Sequence, residues 1–190
     1  MTPPIQAIVL GASSGGVEAI SFLLRRLPED FSVPILIVVH LPPERPSRMA
    51  EVLGARSTFD VHEAEDKEPI EPHTVYVAPP DYHLMVEVDR TIALSSDEPV
   101  HYSRPAIDVL FETAADAYGD ALVGVVLTGA NDDGAQGLCR LCEAGGTALV
   151  QSPEEAAAAA MPEAALKACP QAQCLSLEQI AETLQRICQT

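Results

Sequence analysis

Ala7-Ile-Val-Leu-Gly-Ala-Ser-Ser-Gly-Gly16 is the stretch that decides the fold. Its first four residues are aliphatic, which is typical of a strand buried on both faces of a sheet. The glycines at 11, 15 and 16 allow a tight turn, and beyond Gly16 the apolar residues recur at the spacing of one helix face. We therefore predict a strand that passes through a glycine-rich turn directly into a helix, the repeating unit of parallel α/β sheets.

The same alternation of strand and helix continues along the chain. Apolar runs predict strands at 35–39, 121–127 and 147–150, and helical spacing predicts helices at 16–27, 47–53, 106–118, 134–144 and 177–188. Segment 58–95 differs, because short runs at 75–78, 84–88 and 91–94 are separated by turns, which favours antiparallel strands or hairpins. The predicted fold class is α/β: a three-layer, doubly wound sandwich with a mostly parallel sheet and an antiparallel edge hairpin.

Length, charge and composition limit the class of protein. The chain has 190 residues, 47% of them hydrophobic, which predicts a single folded domain over residues 1–190. The formal net charge of -17 repels phosphate groups, so nucleic acid and anionic membrane surfaces are not expected partners. The sequence contains neither a recognisable signal peptide nor an apolar run long enough to span a membrane, so we expect no membrane insertion and a cytoplasmic location.

Neither the cysteines nor the remaining histidines predict a metal site. Cys139 and Cys142 are spaced CxxC, but they fall within a predicted helix, and the other three cysteines offer no matching second pair. The cysteines are therefore expected to be reduced and structural. The histidines at 62, 73, 83 and 101 lack metal-ligand spacing, and His83 is expected at the surface.

Reactive side chains follow three of the predicted strands. Ser13 and Ser14 follow the first strand, His40 follows the second, and Asp132 and Asp133 follow strand 121–127. The carboxyl ends of parallel strands meet at one edge of the sheet, so these side chains are expected to face one crevice. A serine activated by histidine, which is in turn oriented by a carboxylate, is suited to acyl transfer.

The residues alone leave two functions open. The first is a serine hydrolase, in which the helix after the glycine-rich turn supplies N–H groups for an oxyanion. The second is a nucleotide-binding module, since such a turn often binds phosphate, although GASSGG lacks both the GxGxxG spacing and the P-loop lysine. The order Ser, His, Asp also differs from the orders in α/β-hydrolases, chymotrypsin and subtilisin.

Three motifs carry a resemblance to a known family. They are Gly11–Gly16, His40-Leu-Pro-Pro43, and Thr128-Gly129 followed by Asp133-Gly134-Ala135; 63–66, 76–79 and Arg104–Phe111 also match. With this combination of motifs, the chain resembles the catalytic domain of the CheB family, the chemotaxis protein-glutamate methylesterases. The similarity covers nearly the whole chain in order, and it implies the same doubly wound fold.

The resemblance implies roles for individual residues. Ser13 maps onto the family's nucleophile, His40 onto its base and Asp133 onto its aspartate, and the reaction requires no metal or cofactor. Arg104 is a candidate substrate contact, although a surface ion pair is the preferred interpretation of this residue.

Further positions correspond to the oxyanion hole and its support. Ser14 stands where the family usually has threonine, and backbone N–H groups near Ser14, Gly15 and Ala130 are expected to hold the oxyanion. The family commonly has Met-Gly-Asn before the aspartate, whereas this chain has Ala130-Asn131-Asp132. Alanine keeps the backbone N–H, so this departure is compatible with activity.

The implied activity is hydrolysis of glutamate methyl esters on methyl-accepting chemotaxis receptors, with release of methanol, and deamidation of receptor glutamines. The implied partners are the cytoplasmic helices of methylated chemoreceptors. Because the chain starts at Met1 with the first strand, we expect no receiver domain within it, and a separate response-regulator receiver protein is a further candidate partner. The alternatives are an inactive homologue that binds a receptor or partner, and an esterase of a related signalling system outside chemotaxis.

Overall fold

The computed structural model describes residues 3–40, 48–55 and 57–188. Its strands are β1 Ala7–Ala12, β2 Ile35–Val39, β3 Asp60–Glu63, β4 Thr74–Val77, β5 His83–Val86, β6 Ile92–Ser95, β7 Leu122–Val126, β8 Thr147–Gln151 and β9 Gln173–Leu175. Its helices are α1 Gly16–Arg26, α2 Met49–Gly54, α3 Ile107–Tyr118, α4 Ala135–Glu143, α5 Ala160–Ala168 and α6 Leu177–Cys188.

Within the described residues, seven parallel strands form the central sheet, in the order β3-β4-β2-β1-β7-β8-β9. Strand β1 lies at the centre, between β2 and β7. The chain fills one side of β1 first, with β2, β3 and β4, and then the other side, with β7, β8 and β9, so the direction of strand addition reverses at β1. In open α/β sheets, this reversal creates a crevice at the carboxyl ends of the strands.

Two hydrophobic clusters cover the two faces of the sheet. Side chains of β1 alternate between them, with Ile8 and Leu10 in one cluster and Val9 in the other. The Ile8 cluster includes side chains of α1, α2 and α6, whereas the Val9 cluster includes side chains of α3, α4, α5 and the β5-β6 hairpin. Burial of each large aliphatic side chain contributes about 1.5–3 kcal/mol, so these two layers hold the strand ends in place.

The predicted fold class is confirmed, with differences in the central segment. Strands β5 and β6 pair antiparallel as a separate two-stranded sheet rather than extending the edge of the main sheet. The run at 75–78 contributes to β4, a parallel strand inside the main sheet, rather than to a hairpin. All four β4 side chains are buried, so their pattern carries no alternation that reveals the partner strands.

Among the described elements, strands β3 and β9 and helix α5 were not predicted. Strands β3 and β9 lie at the two edges of the sheet and expose part of their side chains, so neither produces a continuous apolar run. Helix α5 begins within the alanine-rich stretch and carries Pro162 in its first turn, a position where proline is tolerated. The helix predicted at 47–53 begins at Met49. Residues 41–43 of the His40 motif and Ser47 lie outside the described residues.

Candidate active site

The ends of three adjacent strands meet at the crevice. Ser13 follows β1, His40 follows β2, and Asp133 lies in the loop after β7. Backbone hydrogen bonds extend the pairing just beyond the strands: the N–H of His40 donates to the Ala12 carbonyl at 3.2 Å, and the N–H of Ser13 donates to the Thr128 carbonyl at 2.9 Å. The turn that carries Ser13 is therefore held between the two neighbouring strands.

His40 and Asp133 form a direct side-chain contact. The Nε2 atom of His40 lies 2.7 Å from Oδ2 of Asp133, whose side chain is fully buried, and only 13% of the His40 side chain is exposed. A carboxylate oxygen accepts hydrogen bonds, so the Nε2 nitrogen carries the proton in this contact. In the neutral ring, Nδ1 is then the nitrogen with a free lone pair and can act as a base.

The first turn of α3 holds the Asp133 carboxylate. The backbone N–H of Ile107 donates to Asp133 Oδ2 at 2.7 Å, and the N–H of Asp108 donates to Oδ1 at 2.9 Å. Both groups belong to the helix N-terminus, whose unpaired N–H groups and dipole favour a negative charge. The sequence predicted a helix here, but nothing in its periodicity indicated that the helix would point at Asp133.

Asn131 bridges the loop and the histidine. Its Oδ1 atom accepts a hydrogen bond from the backbone N–H of Asp133 at 3.1 Å, and its Nδ2 atom lies 3.2 Å from His40 Nδ1. Sequence reasoning assigned no role to this side chain. The signal was present in the departure at Ala130-Asn131-Asp132, but the contact with His40 depends on the packing of β2 beside the β7 loop.

The Ser13 hydroxyl has no hydrogen-bond partner among the described residues. Ser13 is partly buried, and its side chain makes no hydrogen bond to His40 or to any other residue within 3–40, 48–55 and 57–188. The structure therefore brings Ser13 to the strand end beside His40 without joining the two side chains. Such contacts are often long in a site without substrate and tighten when substrate binds.

Thr128 ties the serine loop to the segment before α5. This threonine is 1% exposed, and its hydroxyl donates to the Ser14 carbonyl at 2.8 Å while it accepts from the Ala158 N–H at 2.8 Å. Its own N–H donates to the Gln151 side chain at 2.9 Å. The buried Thr128 hydroxyl thus holds the turn that carries Ser13 and Ser14.

Three backbone N–H groups were predicted to hold an oxyanion. Those of Ser14, Gly15 and Ala130 donate no hydrogen bond within the described part of the chain. Gly15 adopts a φ of 79°, and a Cβ added there would lie 2.6 Å from Ala157 Cβ, so the turn requires glycine. The Ser14 side chain is exposed, and its backbone carbonyl accepts the hydrogen bond from the Thr128 hydroxyl.

Arg104 lies in the wall of a cleft beside His40. Its Nε and Nη2 atoms donate to Asp81 Oδ1 at 3.0 and 2.6 Å, and Nη1 donates to the carbonyls of Ser96 and Asp97 at 2.9 and 3.1 Å. The guanidinium is therefore engaged within the protein, and its contact with substrate stays a prediction. The cleft encloses about 220 Å³ and is lined by His40, Asp81, Pro99, Tyr102, Ser103, Arg104 and Pro105.

A second acid lies directly behind Asp133. Asp108 is 3% exposed; its Oδ1 accepts the Gly137 N–H at 2.7 Å, and its Oδ2 lies 3.3 Å from His101 Nε2. Burial raises the pKa of Asp108 to about 6, and the negative charge of Asp133 adds to this rise, while the Gly137 N–H and His101 oppose it. Burial thus keeps the pKa of Asp108 well above its usual value of 3.8.

His83 is buried, which corrects the expectation that it lies at the surface. Its Nδ1 atom accepts the Ala106 N–H at 3.2 Å, so Nε2 carries the proton and donates to the Glu98 carbonyl at 3.0 Å. His83 therefore links the hairpin to the start of α3. Among the described residues, no cluster of three His, Cys, Asp or Glu side chains is arranged to hold a metal ion, and no helix is long and apolar enough to span a membrane.

Fold and site together define a class: doubly wound α/β proteins with a serine, a histidine and a buried aspartate at the carboxyl edge of the sheet. Comparison with known families narrows this class. The CheB methylesterase family model matches residues 8–184, and the chain belongs to that family. The predicted family and fold are confirmed, and the family is one of protein-glutamate methylesterases and protein-glutamine glutaminases.

Individual relatives agree with this assignment. A putative protein-glutamate methylesterase/protein-glutamine glutaminase of Leptospira interrogans serovar copenhageni is 48% identical over 182 residues, which are 96% of this chain and 94% of the relative. A protein-glutamate methylesterase/protein-glutamine glutaminase of a Nocardioides species is 41% identical over 86% of this chain and 46% of its own length. The crystal structure of the Thermotoga maritima CheB methylesterase catalytic domain superposes with a TM-score of 0.90 at 30% identity, over 97% of this chain and 99% of that one.

Proposed function

We propose that this chain hydrolyses glutamate methyl esters on methyl-accepting chemotaxis receptors, with Ser13, His40 and Asp133 as a catalytic triad. The observation that carries the proposal is the 2.7 Å contact between His40 Nε2 and the buried Asp133 carboxylate, at the strand end next to Ser13. Family membership and the names of the relatives support the reaction class.

The acylation step uses the free lone pair of His40. Nδ1 takes the proton of the Ser13 hydroxyl as Oγ attacks the ester carbonyl, and Asp133 stabilises the imidazolium through Nε2. The negative charge that develops on the carbonyl oxygen is stabilised by the free N–H groups of Gly15 and Ala130 and by that of Ser14. His40 then gives its proton to the leaving methoxide, which departs as methanol.

The second half of the cycle restores the serine. The glutamyl group is now esterified to Ser13 Oγ, and His40 removes a proton from a water molecule that attacks this ester. The bond to Oγ breaks, Oγ recovers its proton from His40, and the glutamic acid side chain that forms loses its remaining proton to solvent and is released as a carboxylate. A glutamine side chain reacts by the same route, with ammonia as the leaving group.

The proposed partners are the cytoplasmic helices of methylated receptors, so the chain acts in the cytoplasm. In this proposal, the methylated glutamate side chain reaches His40 through the cleft that His40 and Arg104 line. A separate response-regulator receiver protein is proposed as the partner that controls access to the cleft.

Methanol release from methylated receptor cytoplasmic fragments tests the function. We expect Ser13→Ala to lower the rate by about 10³-fold or more, since removal of a triad serine is among the most costly changes in such enzymes. Ser14→Ala is the matched control within the same loop, because it removes an exposed hydroxyl but keeps the backbone N–H and carbonyl. It should lose far less activity than Ser13→Ala.

A folded wild type that releases no methanol would contradict the proposal. Labelling with a fluorophosphonate then separates the two alternatives. Labelling at Ser13 that Ser13→Ala abolishes indicates an esterase of another signalling system. A wild type without labelling indicates an inactive homologue that binds its partner.

A further inference from the structure

Asn131 contacts both His40, the proposed base, and Asp133, the aspartate that orients it. Its Oδ1 atom accepts the backbone N–H of Asp133 at 3.1 Å, and its Nδ2 atom lies 3.2 Å from His40 Nδ1. The opposite ring nitrogen of His40 contacts the Asp133 side chain at 2.7 Å. Both nitrogens of the imidazole are therefore occupied by residues of the same loop.

The chemistry of these groups determines where the protons lie. A backbone N–H can only donate, so the oxygen of the Asn131 amide must face Asp133 and the NH₂ group must face His40. The NH₂ group is a donor, so it requires Nδ1 to be an unprotonated acceptor. The Nε2 nitrogen then carries the proton and donates to the carboxylate of Asp133. One tautomer satisfies all three contacts.

We propose that Asn131 is a positioning residue that restrains the base: its amide occupies the Nδ1 lone pair of His40 in the free enzyme and releases it when substrate binds. This inference rests on the proposed function, in which the same lone pair takes the proton of Ser13. An imidazole nitrogen has one in-plane lone pair and accepts one well-aligned hydrogen bond. Asn131 and Ser13 therefore compete for it.

A second observation agrees with this competition. The Ser13 hydroxyl makes no hydrogen bond within the described residues, although it follows the strand next to the one that carries His40. The contact that would activate Ser13 is absent while Asn131 holds Nδ1. Release requires little rearrangement, because the Asn131 oxygen can keep its bond to the Asp133 N–H while the NH₂ group turns away.

Two substitutions separate the contact with His40 from the turn. Asn131→Ser keeps a side-chain oxygen that can accept the Asp133 N–H, as serine does in turns of this kind, but it removes the donor to His40. Asn131→Asp also keeps that acceptor, and it places a second acceptor opposite Nδ1. Both are made in the full chain, and thermal unfolding checks that each variant is folded.

The readouts are the rate at which a fluorophosphonate labels Ser13 and the ¹⁵N resonances of the His40 ring. A net hydrogen bond of ordinary strength predicts that Asn131→Ser increases the labelling rate about 2- to 10-fold. In the same variant, the ¹⁵N resonance of His40 Nδ1 should move toward that of a nitrogen without a hydrogen bond. Asn131→Asp should label more slowly than wild type, since its carboxylate favours a proton on Nδ1 and removes the lone pair.

Two results would overturn the inference. One is an Asn131→Ser variant whose labelling rate and Nδ1 resonance match wild type, which would limit Asn131 to its role in the turn. The other needs no variant. If the ¹⁵N resonances of the neutral His40 ring in wild type show the proton on Nδ1, Nδ1 cannot accept a hydrogen bond from the Asn131 NH₂ group. Failure of the proposed function has a different signature, because wild type would then release no methanol from the receptor fragments while the ring resonances still report on Asn131.

Discussion

The backbone N–H of Ile107 donates a 2.7 Å hydrogen bond to Asp133 Oδ2, the same oxygen that His40 Nε2 contacts. Ile107 is the first residue of α3, which follows the hairpin segment, whereas Asp133 belongs to the loop after β7. The start of this helix therefore takes part in the site by holding the Asp133 carboxylate through backbone N–H groups. An isolated buried carboxylate would be strongly destabilising, and these N–H groups offset that cost.

Replacement of Asp133 by asparagine should damage both activity and stability. The amide offers one acceptor atom and one donor group to a site that presents three donors, so at least one donor faces another in either orientation. We expect the rate of methanol release to fall about 10³- to 10⁴-fold and the free energy of unfolding to fall by about 1–3 kcal/mol. The measurements are the methanol assay and urea denaturation.

Asp132→Asn is the matched control for this change, because Asp132 is the exposed neighbour in the same loop. It removes the same charge without touching the buried network, so its activity and stability should stay near those of wild type. An Asp133→Asn enzyme within tenfold of wild type would rule out Asp133 as the acid of the triad.

The hydroxyl of Thr128 should be necessary to hold the loop that carries Ser13 and Ser14 in its place. Thr128→Val keeps the shape but leaves the Ala158 N–H and the Ser14 carbonyl without their buried partner. The expected cost is about 1–3 kcal/mol in the free energy of unfolding, together with slower labelling of Ser13 by a fluorophosphonate. Thr128→Ser keeps the hydroxyl and should lose much less. Equal stability of the two variants would show that the bridge is unimportant.

The site's outline followed from local patterns. The aliphatic run at 7–10, the glycines after it, and the strands that precede His40 and Thr128 are properties of short segments. The rule that parallel strand ends share one edge was then sufficient to bring three distant segments to one crevice. The choice of Ser13 over Ser14 and of Asp133 over Asp132 came from resemblance, since both members of each pair satisfy the pattern.

The supporting contacts did not follow from any local pattern. Asp133 is held by Ile107 and Asp108, which lie 26 and 25 residues away in sequence, and Thr128 is tied to Ala158 across 30 residues. Such contacts depend on how α3 and the segment before α5 pack on the sheet. The placement of β4 inside the main sheet has the same cause, since its partners are chosen by non-local pairing.

Arg104 and Asp81 should act as one unit in shaping the cleft wall. The ion pair and the two carbonyl contacts of Arg104 connect the segment around Asp81 to residues 96–97. We expect Asp81→Asn and Arg104→Gln each to raise KM for the receptor fragment several-fold with little change in kcat. The double variant should resemble either single one, because contacting residues are non-additive. Additive effects on KM would indicate that Arg104 binds the substrate directly.

Asp108 should make stability depend on pH in the range below neutral. Its pKa is raised from 3.8 to about 6 in the folded chain, so as pH rises through this range the unfolded chain loses the proton first and the folded state is penalised. Asp108→Asn keeps an acceptor for the Gly137 N–H but carries no charge. The free energy of unfolding of Asp108→Asn, measured by urea denaturation relative to wild type, should therefore increase by about 2 kcal/mol between pH 4 and pH 7. Glu182→Gln, an exposed change on α6, should show no such growth. An advantage that stays constant or shrinks with rising pH would mean that the folded chain does not disfavour the Asp108 carboxylate.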